Sequence, residues 1–133
     1  MTRLEDWPLR FDSFITSRLC SPFAWGRNDC ALFAADQVLA ITGQDVADGL
    51  RSHRTATQAA RVIRRHGGLE AITSRLLVSC EVNEARQGDV LLVRHMGREM
   101  LSVCFDAQCV VAPALQGLAM LSRSAAVRAW RVG

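Results

Sequence analysis

In Phe23-Ala24-Trp25-Gly26-Arg27-Asn28-Asp29-Cys30-Ala31-Leu32-Phe33, a cysteine stands where a glycine-containing loop gives way to an apolar helix. From Cys30 onward, apolar residues recur at helical spacing as far as Ile41, and such a stripe has to be buried. A helix N-terminus carries partial positive charge and unpaired backbone N–H groups, which favour a thiolate over a thiol. The pattern therefore predicts a buried helix that opens with a candidate nucleophile, Cys30.

Three more helices are predicted around this one. Asp6-Trp7-Pro8 is typical of a helix start, because proline is tolerated in the first turn, and apolar spacing continues to residue 19. Gly43 ends the second helix. Residues 57–66 form a third helix that Gly67-Gly68 closes, and residues 69–77 form a short fourth. The charged, glycine-containing loop 45–55 lies either over the site of Cys30 or against a neighbouring molecule.

The second half of the chain is predicted to form strands. From residue 78 the apolar period changes to two, which indicates strands at 89–94, 100–105, 109–112, 118–121 and 129–132. Helices followed by strands predict a segregated α+β domain, with N-terminal helices packed on a small antiparallel C-terminal sheet. We expect residues 1–133 to form a single domain.

Composition excludes several classes of function. A net charge of +3 with basic residues spread along the chain does not indicate nucleic-acid binding. Five cysteines without regular spacing indicate free thiols in a reducing compartment, and we predict no metal site and no cofactor. The N-terminus lacks the apolar core of a secretory signal, and no window is apolar enough to span a membrane. We therefore expect synthesis in the cytoplasm.

Two motifs together resemble one family. The Trp25-Gly26 and Asp29-Cys30 pairs resemble the signature of NlpC-type papain-fold cell-wall peptidases, in which the cysteine opens a helix packed on an antiparallel sheet. Downstream, the segment 86–92 (Arg-Gln-Gly-Asp-Val-Leu-Leu) resembles the start of that family's first core strand. With the segment 128–132 (Arg-Ala-Trp-Arg-Val) at its end, the compact chain looks most like the small branch found in tail-gene regions of phages and prophages.

The catalytic histidine of that family has no counterpart. The resemblance places it about a dozen residues after Gly88, as the first of four residues reading His-Val-Gly-Ile, where this chain has Met100-Leu101-Ser102-Val103. On this alignment Met100 replaces the histidine and Ser102 lines the site beside it. Methionine cannot accept a proton, so the expected cysteine–histidine pair lacks its base.

His95 is the candidate replacement for this base. It precedes Met96-Gly97, which mimics the family motif, but it follows Gly88 by only seven residues and fits a strand end beside a hairpin turn. His53 falls in a loop and His66 in the last turn of a helix, so neither is chosen as the base.

The other residues near Cys30 each have two interpretations. Cys30 itself is either an inherited nucleophile or a small buried residue, since free cysteine is often buried. Asp29 either caps the helix or orients a catalytic partner. Trp25 either lines a cleft or packs the loop on the helix, and Gly26 allows a tight turn.

Two functions follow from the resemblance. The first is a catalytically degenerate, tail-associated protein that is incorporated into a virion or phage-like tail and has other tail proteins as partners. The second is an active cysteine peptidase or amidase that cleaves peptidoglycan stem peptides during cell-wall penetration. The missing histidine favours the first, because Cys30 thiolate alone cannot protonate a leaving amine.

Overall fold

A computed structural model describes residues 1–133, with four helices up to residue 76 and six strands from residue 78 onward. The helices are α1 (Trp7–Arg18), α2 (Cys30–Thr42), α3 (Ala56–Arg65) and α4 (Leu69–Leu76). The strands are β1 (Val78–Cys80), β2 (Val90–His95), β3 (Arg98–Cys104), β4 (Cys109–Ala114), β5 (Gly117–Ser122) and β6 (Ala126–Arg131). The predicted α+β class is confirmed.

All six strands form one antiparallel sheet in the order β1-β6-β2-β3-β4-β5. The pairing of β3 with β4 is short, because only Val103 and Cys104 have partners on β4. The earlier part of β3 is therefore free of β4, and this part faces α2. Strand β1 was not predicted as a separate element, since three residues are too few to show a period of two.

Helix α2 begins and ends where local chemistry dictates. Asp29 is its N-cap, and the side chain accepts a hydrogen bond from the backbone N–H of Leu32. Gly43 closes the helix in the left-handed conformation, with φ of 79°. Between these ends α2 is apolar on most of its surface and is largely buried, as the sequence predicts.

The two faces of the sheet carry two separate apolar clusters. The main core lies between the sheet and helices α1 and α2, and from the central strands it includes Val90, Leu92, Leu101 and Val103. The opposite face carries a smaller cluster that includes Leu91, Val93, Cys104 and Ala129, with Met100 packed against it. Because side chains alternate along a strand, each position on β2 and β3 belongs to one cluster only.

Asp89, which precedes β2, joins distant parts of the chain. Its buried carboxylate accepts hydrogen bonds from Arg3 Nη2 at 2.9 Å, from the Val132 backbone N–H at 2.9 Å and from the Arg86 backbone N–H at 3.0 Å. Arg3 also donates from Nε to the Val132 carbonyl at 2.7 Å. This group of contacts fixes the position from which β2 enters the core.

None of the four helices is both long enough and apolar enough to cross a membrane. The longest, α2, has 13 residues, whereas a spanning helix needs about 20.

Candidate functional site

Cys30 is the first residue of α2 and lies against β3. Its thiol is close to the backbone N–H groups of Ala31 and Leu101, which favour the thiolate. Burial acts in the opposite direction and is stronger, so the pKa of the Cys30 thiol is raised to about 11. The helix N-terminus therefore does not activate this thiol in the way that the sequence pattern predicts.

The residue of β3 that faces Cys30 is Leu101. The backbone groups of Cys104 point towards β2, because its N–H donates to the Asp89 carbonyl and its carbonyl accepts from the Gly88 N–H. The direction of the backbone groups alternates along a strand, so those of Leu101, three residues earlier, point the opposite way, towards α2. The Leu101 side chain is 5 % exposed and lines the same cavity as Cys30. Leu101 thus offers its backbone N–H to the thiol and its aliphatic side chain to the cavity, and neither group can act as a base.

Met100 and Ser102 do not line this site, and their assignment to it was wrong. Met100 packs against the apolar cluster on the opposite face of the sheet. Ser102 is fully buried on that same side, where its Oγ donates to the carbonyl of Leu91 at 3.0 Å. The reason is strand alternation, because a shift of one residue along β3 exchanges the two faces.

His95 is also remote from Cys30. It is the last residue of β2, pairs with Arg98 across the hairpin, and is exposed to solvent. Leu92 lies opposite Leu101, and three residues along a strand separate it from His95 by roughly 10 Å. His95 is absent from the residues that line the cavity of Cys30, so the expectation that it acts as the base is not supported by its position.

The imidazole that does reach the site belongs to His53. Its Nε2 lies 2.7 Å from Oδ2 of Asp29, and both side chains are buried. Oδ2 also accepts the backbone N–H of Gly26 at 3.0 Å, and Oδ1 accepts that of Leu32 at 2.9 Å. Asp29 therefore caps α2, which is one of its two predicted roles, and the same carboxylate also fixes the His53 ring.

Gly26 brings the cysteine loop and the histidine loop into contact. Its φ is 79°, and a Cβ added to it would lie 2.1 Å from the carbonyl oxygen of His53. Only glycine permits this approach of the two backbones. Trp25, the preceding residue, is 41 % exposed and makes an edge contact with Phe23 at 4.7 Å between ring centroids. It packs within its own loop and also lines the cavity.

Cys30, His53 and Leu101 share one apolar cavity of about 100 Å³. Of its 22 lining residues, 19 are hydrophobic. The lining residues come from α2, α3 and α4, from strands β2 and β3, and from the loop 45–55, which lies over the site. The loop contributes Val46, Ala47, Leu50 and His53. Of the lining residues, Trp25 and Leu76 are the most exposed, at 41 % and 39 %.

The reactions open to Cys30 and His53 are limited by the hydrogen bonds that their side chains make or lack. His53 Nδ1 is buried without a hydrogen-bond partner, and the Cys30 thiol makes no hydrogen bond to the imidazole. No group of three or more histidine, cysteine, aspartate or glutamate side chains is arranged to hold a metal ion. The site therefore contains a protonated thiol, an oriented imidazole and apolar walls.

The remaining cysteines lie away from this cavity. Cys104 and Cys109 flank the turn between β3 and β4. They lie on opposite faces of the sheet, since Cys104 and Val110 pack in the smaller cluster and Val111 in the main core. Burial raises the pKa of Cys104, and it also raises that of Cys80. Cys20 is exposed on the surface.

His53 was passed over in the sequence because a loop has no periodicity that would assign its side chains to a face. One signal was available. Loop 45–55 combines apolar residues with a histidine, and these same residues, Val46, Ala47 and Leu50, line the cavity beside it. An apolar pattern within a loop thus indicated that the loop folds back on the core.

The fold and the site together define an α+β domain in which a cysteine opens the central helix and faces an antiparallel sheet. The chain belongs to the family described as Domain of unknown function (DUF6950), whose model matches residues 2–132. No curated protein matches the chain in sequence.

Proposed function

We propose that this protein is a non-catalytic module with an NlpC-like, papain-type fold that serves as an assembly component of a phage or prophage tail. The lineage is supported by the two motifs, which lie where the resemblance requires: Cys30 opens a helix packed on an antiparallel sheet, and Gly88-Asp89 leads into the first long strand. Synthesis in the cytoplasm and incorporation into a virion or tail are parts of the same proposal.

The loss of catalysis rests on one observation, which is that the Cys30 thiol makes no hydrogen bond to His53, although this imidazole lines the same cavity. With the pKa of Cys30 at about 11, roughly one thiol in a thousand is ionised at pH 8. A thiolate at that level, with no imidazole hydrogen-bonded to it, does not support turnover of an amide.

A surface for a partner is supplied by the edge of the sheet. In β5, the outward N–H of Leu118 is bonded to the carbonyl of Leu19, whereas the outward N–H of Met120 has no partner. The Met120 side chain is 58 % exposed, and β5 contains no charged residue and no proline that would protect its edge. An extended segment of a neighbouring tail protein fits this edge as an added strand.

The state of the thiol is tested by alkylation with iodoacetamide at pH 8, followed site by site by mass spectrometry. We expect Cys20 to react much faster than Cys30, because Cys20 is exposed, whereas Cys30 is only partly exposed and desolvation raises the pKa of its thiol to about 11. Faster reaction at Cys30 than at Cys20 would refute the non-catalytic assignment.

The assembly role is tested on tail particles purified from a producing strain. We expect the protein to be present in the particles, Cys30→Ala to leave its amount unchanged, and Met120→Lys to lower it at least about fivefold without unfolding the protein. The matched control is Met96→Lys, which alters an exposed methionine in a turn away from β5. Absence of the wild-type protein from the particles would contradict the proposal.

An active cysteine peptidase or amidase acting on peptidoglycan remains the second candidate, and one observation favours it. His53 is oriented by Asp29 and lines the cavity of Cys30. Purified peptidoglycan distinguishes the two. An enzyme releases stem peptides in a manner that both Cys30→Ala and His53→Ala abolish, whereas our proposal predicts no release that depends on Cys30.

A further inference from the structure

The positive charge of this protein is concentrated in one segment. The chain has 16 basic residues, all of them arginine, and 13 acidic ones, which gives a net charge of +3. The arginines are spread along the chain, but residues 49–69 contain five arginines and no aspartate or glutamate, so the rest of the chain has a net charge of −2. This segment includes the whole of α3 and carries the entire positive excess of the molecule.

The arginines of α3 differ from most others in having no partner. Outside the segment 49–69, six of the eleven arginines form ion pairs with carboxylates. On α3, the side chains of Arg61, Arg64 and Arg65 are exposed and make neither an ion pair nor a hydrogen bond.

Arg75, which is also exposed and unpaired, extends this group from α4. A Cβ added to Gly67 would lie 3.8 Å from Arg75 Nη2, which places the Arg75 guanidinium at the C-terminal end of α3, where Arg64 and Arg65 lie. We call Arg61, Arg64, Arg65 and Arg75 the arginine patch. Four cations thus share one surface with no carboxylate among them.

The spacing of these arginines is unfavourable for α3 itself. Arg61 is three residues from Arg64 and four from Arg65, so the side chains are neighbours on the helix surface, where like charges repel and destabilise the helix. The negative end of the helix dipole offsets this repulsion only within the last turn, which Arg61 precedes. An anion from outside the protein would remove the repulsion, and no group inside the protein does so.

The remaining exposed residues of α3 indicate which kind of anion fits. Proteins that bind single-stranded nucleic acid stack bases on aromatic side chains, and helices that lie on membranes insert large apolar ones. α3 exposes neither kind, because its other exposed residues are Ala56, Thr57, Gln58 and Ala60. Guanidinium groups pair well with carboxylates, and arginines three and four residues apart match carboxylates at the same spacing on a second helix.

We propose that the arginine patch binds an acidic helical segment of another protein, in which aspartate or glutamate residues are spaced three and four residues apart. The carboxylates of this segment lie between the guanidinium groups of Arg61, Arg64 and Arg65, and the small side chain of Ala60 lets the partner approach α3 closely. The proposal does not depend on the tail role, because the patch is on α3 and the edge proposed for assembly is β5.

The test uses the full-length protein and an alanine-based peptide of about 15 residues, the length at which such a helix begins to form in water. The peptide carries glutamates at the proposed spacing, and the control peptide has glutamine at the same positions. We expect the glutamate peptide alone to shift the backbone amide NMR signals of α3 at low ionic strength. The affinity should fall as salt is added, because salt screens exposed charges.

Two double variants separate the patch from net charge. Arg61→Gln with Arg65→Gln removes two charges from the patch, and Arg27→Gln with Arg98→Gln removes two from exposed arginines elsewhere. We expect the first to weaken binding of the glutamate peptide about fivefold or more, and the second less than about twofold. Thermal unfolding should find the first variant at least as stable as the wild-type protein, because a repelling pair is gone.

Equal weakening in the two double variants would show attraction to net charge alone and would overturn the proposal. Tighter binding of a short DNA duplex, or of vesicles that contain phosphatidylglycerol, than of the glutamate peptide at the same ionic strength would overturn it as well. Failure of the peptide to bind, with the protein still present in tail particles, removes only the role of the patch. Absence from the particles, with specific binding of the peptide, removes only the tail function.

Discussion

Asp29 and His53, 24 residues apart, are joined by a contact of 2.7 Å between Oδ2 and Nε2 that lies wholly inside the protein. The same carboxylate caps α2 and holds the backbone of the preceding loop through Gly26. Three parts of the chain thus depend on one side chain. This dependence makes the position of Asp29 unusually sensitive to substitution.

Asp29→Ala is expected to lower the free energy of unfolding by about 2–4 kcal/mol, because the change removes a helix cap and leaves buried donors without an acceptor. Equilibrium unfolding in urea measures the difference. Asp6→Ala is the matched control, since Asp6 precedes α1 but makes no capping hydrogen bond and its side chain is about half exposed. Equal losses in the two variants would contradict the role given to Asp29.

The Cys30 thiol should make stability fall at high pH. Its pKa is raised to about 11 in the folded protein from an ordinary value of 9.0, so between these values the unfolded chain releases a proton that the folded protein retains. The number of bound protons is then larger in the folded state, and stability decreases as pH rises. The stabilisation is complete below about pH 9 and is lost by about pH 11.

The measurement compares the wild-type protein with Cys30→Ala in urea from pH 7 to pH 11. We expect the difference in unfolding free energy to be constant up to about pH 9 and then to shrink by about 2–3 kcal/mol. Other groups that titrate in this range are common to both proteins and cancel. A difference that stays constant to pH 11 would show that the thiol ionises normally.

Arg3→Met should be strongly destabilising, by about 3–5 kcal/mol, because it leaves the buried carboxylate of Asp89 without its ion-pair partner. The side chains of this pair are 5 % and 1 % exposed. Arg10→Met serves as the control, since the pair of Arg10 with Asp6 is about half exposed and is worth less than about 1 kcal/mol. Thermal or urea unfolding distinguishes the two, and similar small effects would argue against the Arg3 contact.

Met96→Asn is expected to stabilise the protein by about 0.5–1 kcal/mol. Met96 and Gly97 form the turn between β2 and β3 with φ of 52° and 75°, a geometry that favours Asn-Gly. The Met96 side chain is 89 % exposed, so little packing is lost. Leu115→Asn, in the turn between β4 and β5, is the control, because Leu115 is 85 % exposed but has no positive φ. A similar gain in both variants would show that the effect comes from replacing an exposed apolar side chain and not from the positive φ of Met96.

The elements were largely predictable from the sequence, whereas the site was predictable only in part. Cys30 begins α2 and Gly43 ends it as predicted, since a cap and a left-handed glycine are local signals. The prediction of which β3 residues face α2 was wrong by one position, so it placed Met100 in the site where the structure has Leu101. Counting residues from Gly88 locates the strand but does not determine which side chains face the core. Because side chains alternate along a strand, an error of one residue places each of them on the opposite face of the sheet.

The partner of Asp29 lay beyond any local signal. His53 reaches it through a loop whose path depends on tertiary packing, including the close approach to Gly26. By contrast, the choice of His95 relied on similarity of sequence around it, and the strand carries that residue out to the hairpin. A contact between two residues in loops can be predicted only when the tertiary fold is known, because the periodicity of the sequence does not determine the path of a loop.

The contacts of Arg3 with Asp89 and with the carbonyl of Val132 have a mechanical consequence. A force applied between Thr2 and Val132 stretches the hydrogen bond from Arg3 Nε to the Val132 carbonyl, and it loads β6 at the same time because Val132 follows Arg131. Arg3→Met removes this bond, so the force at the first rupture event in a pulling experiment should be lower in the variant than in the wild-type protein.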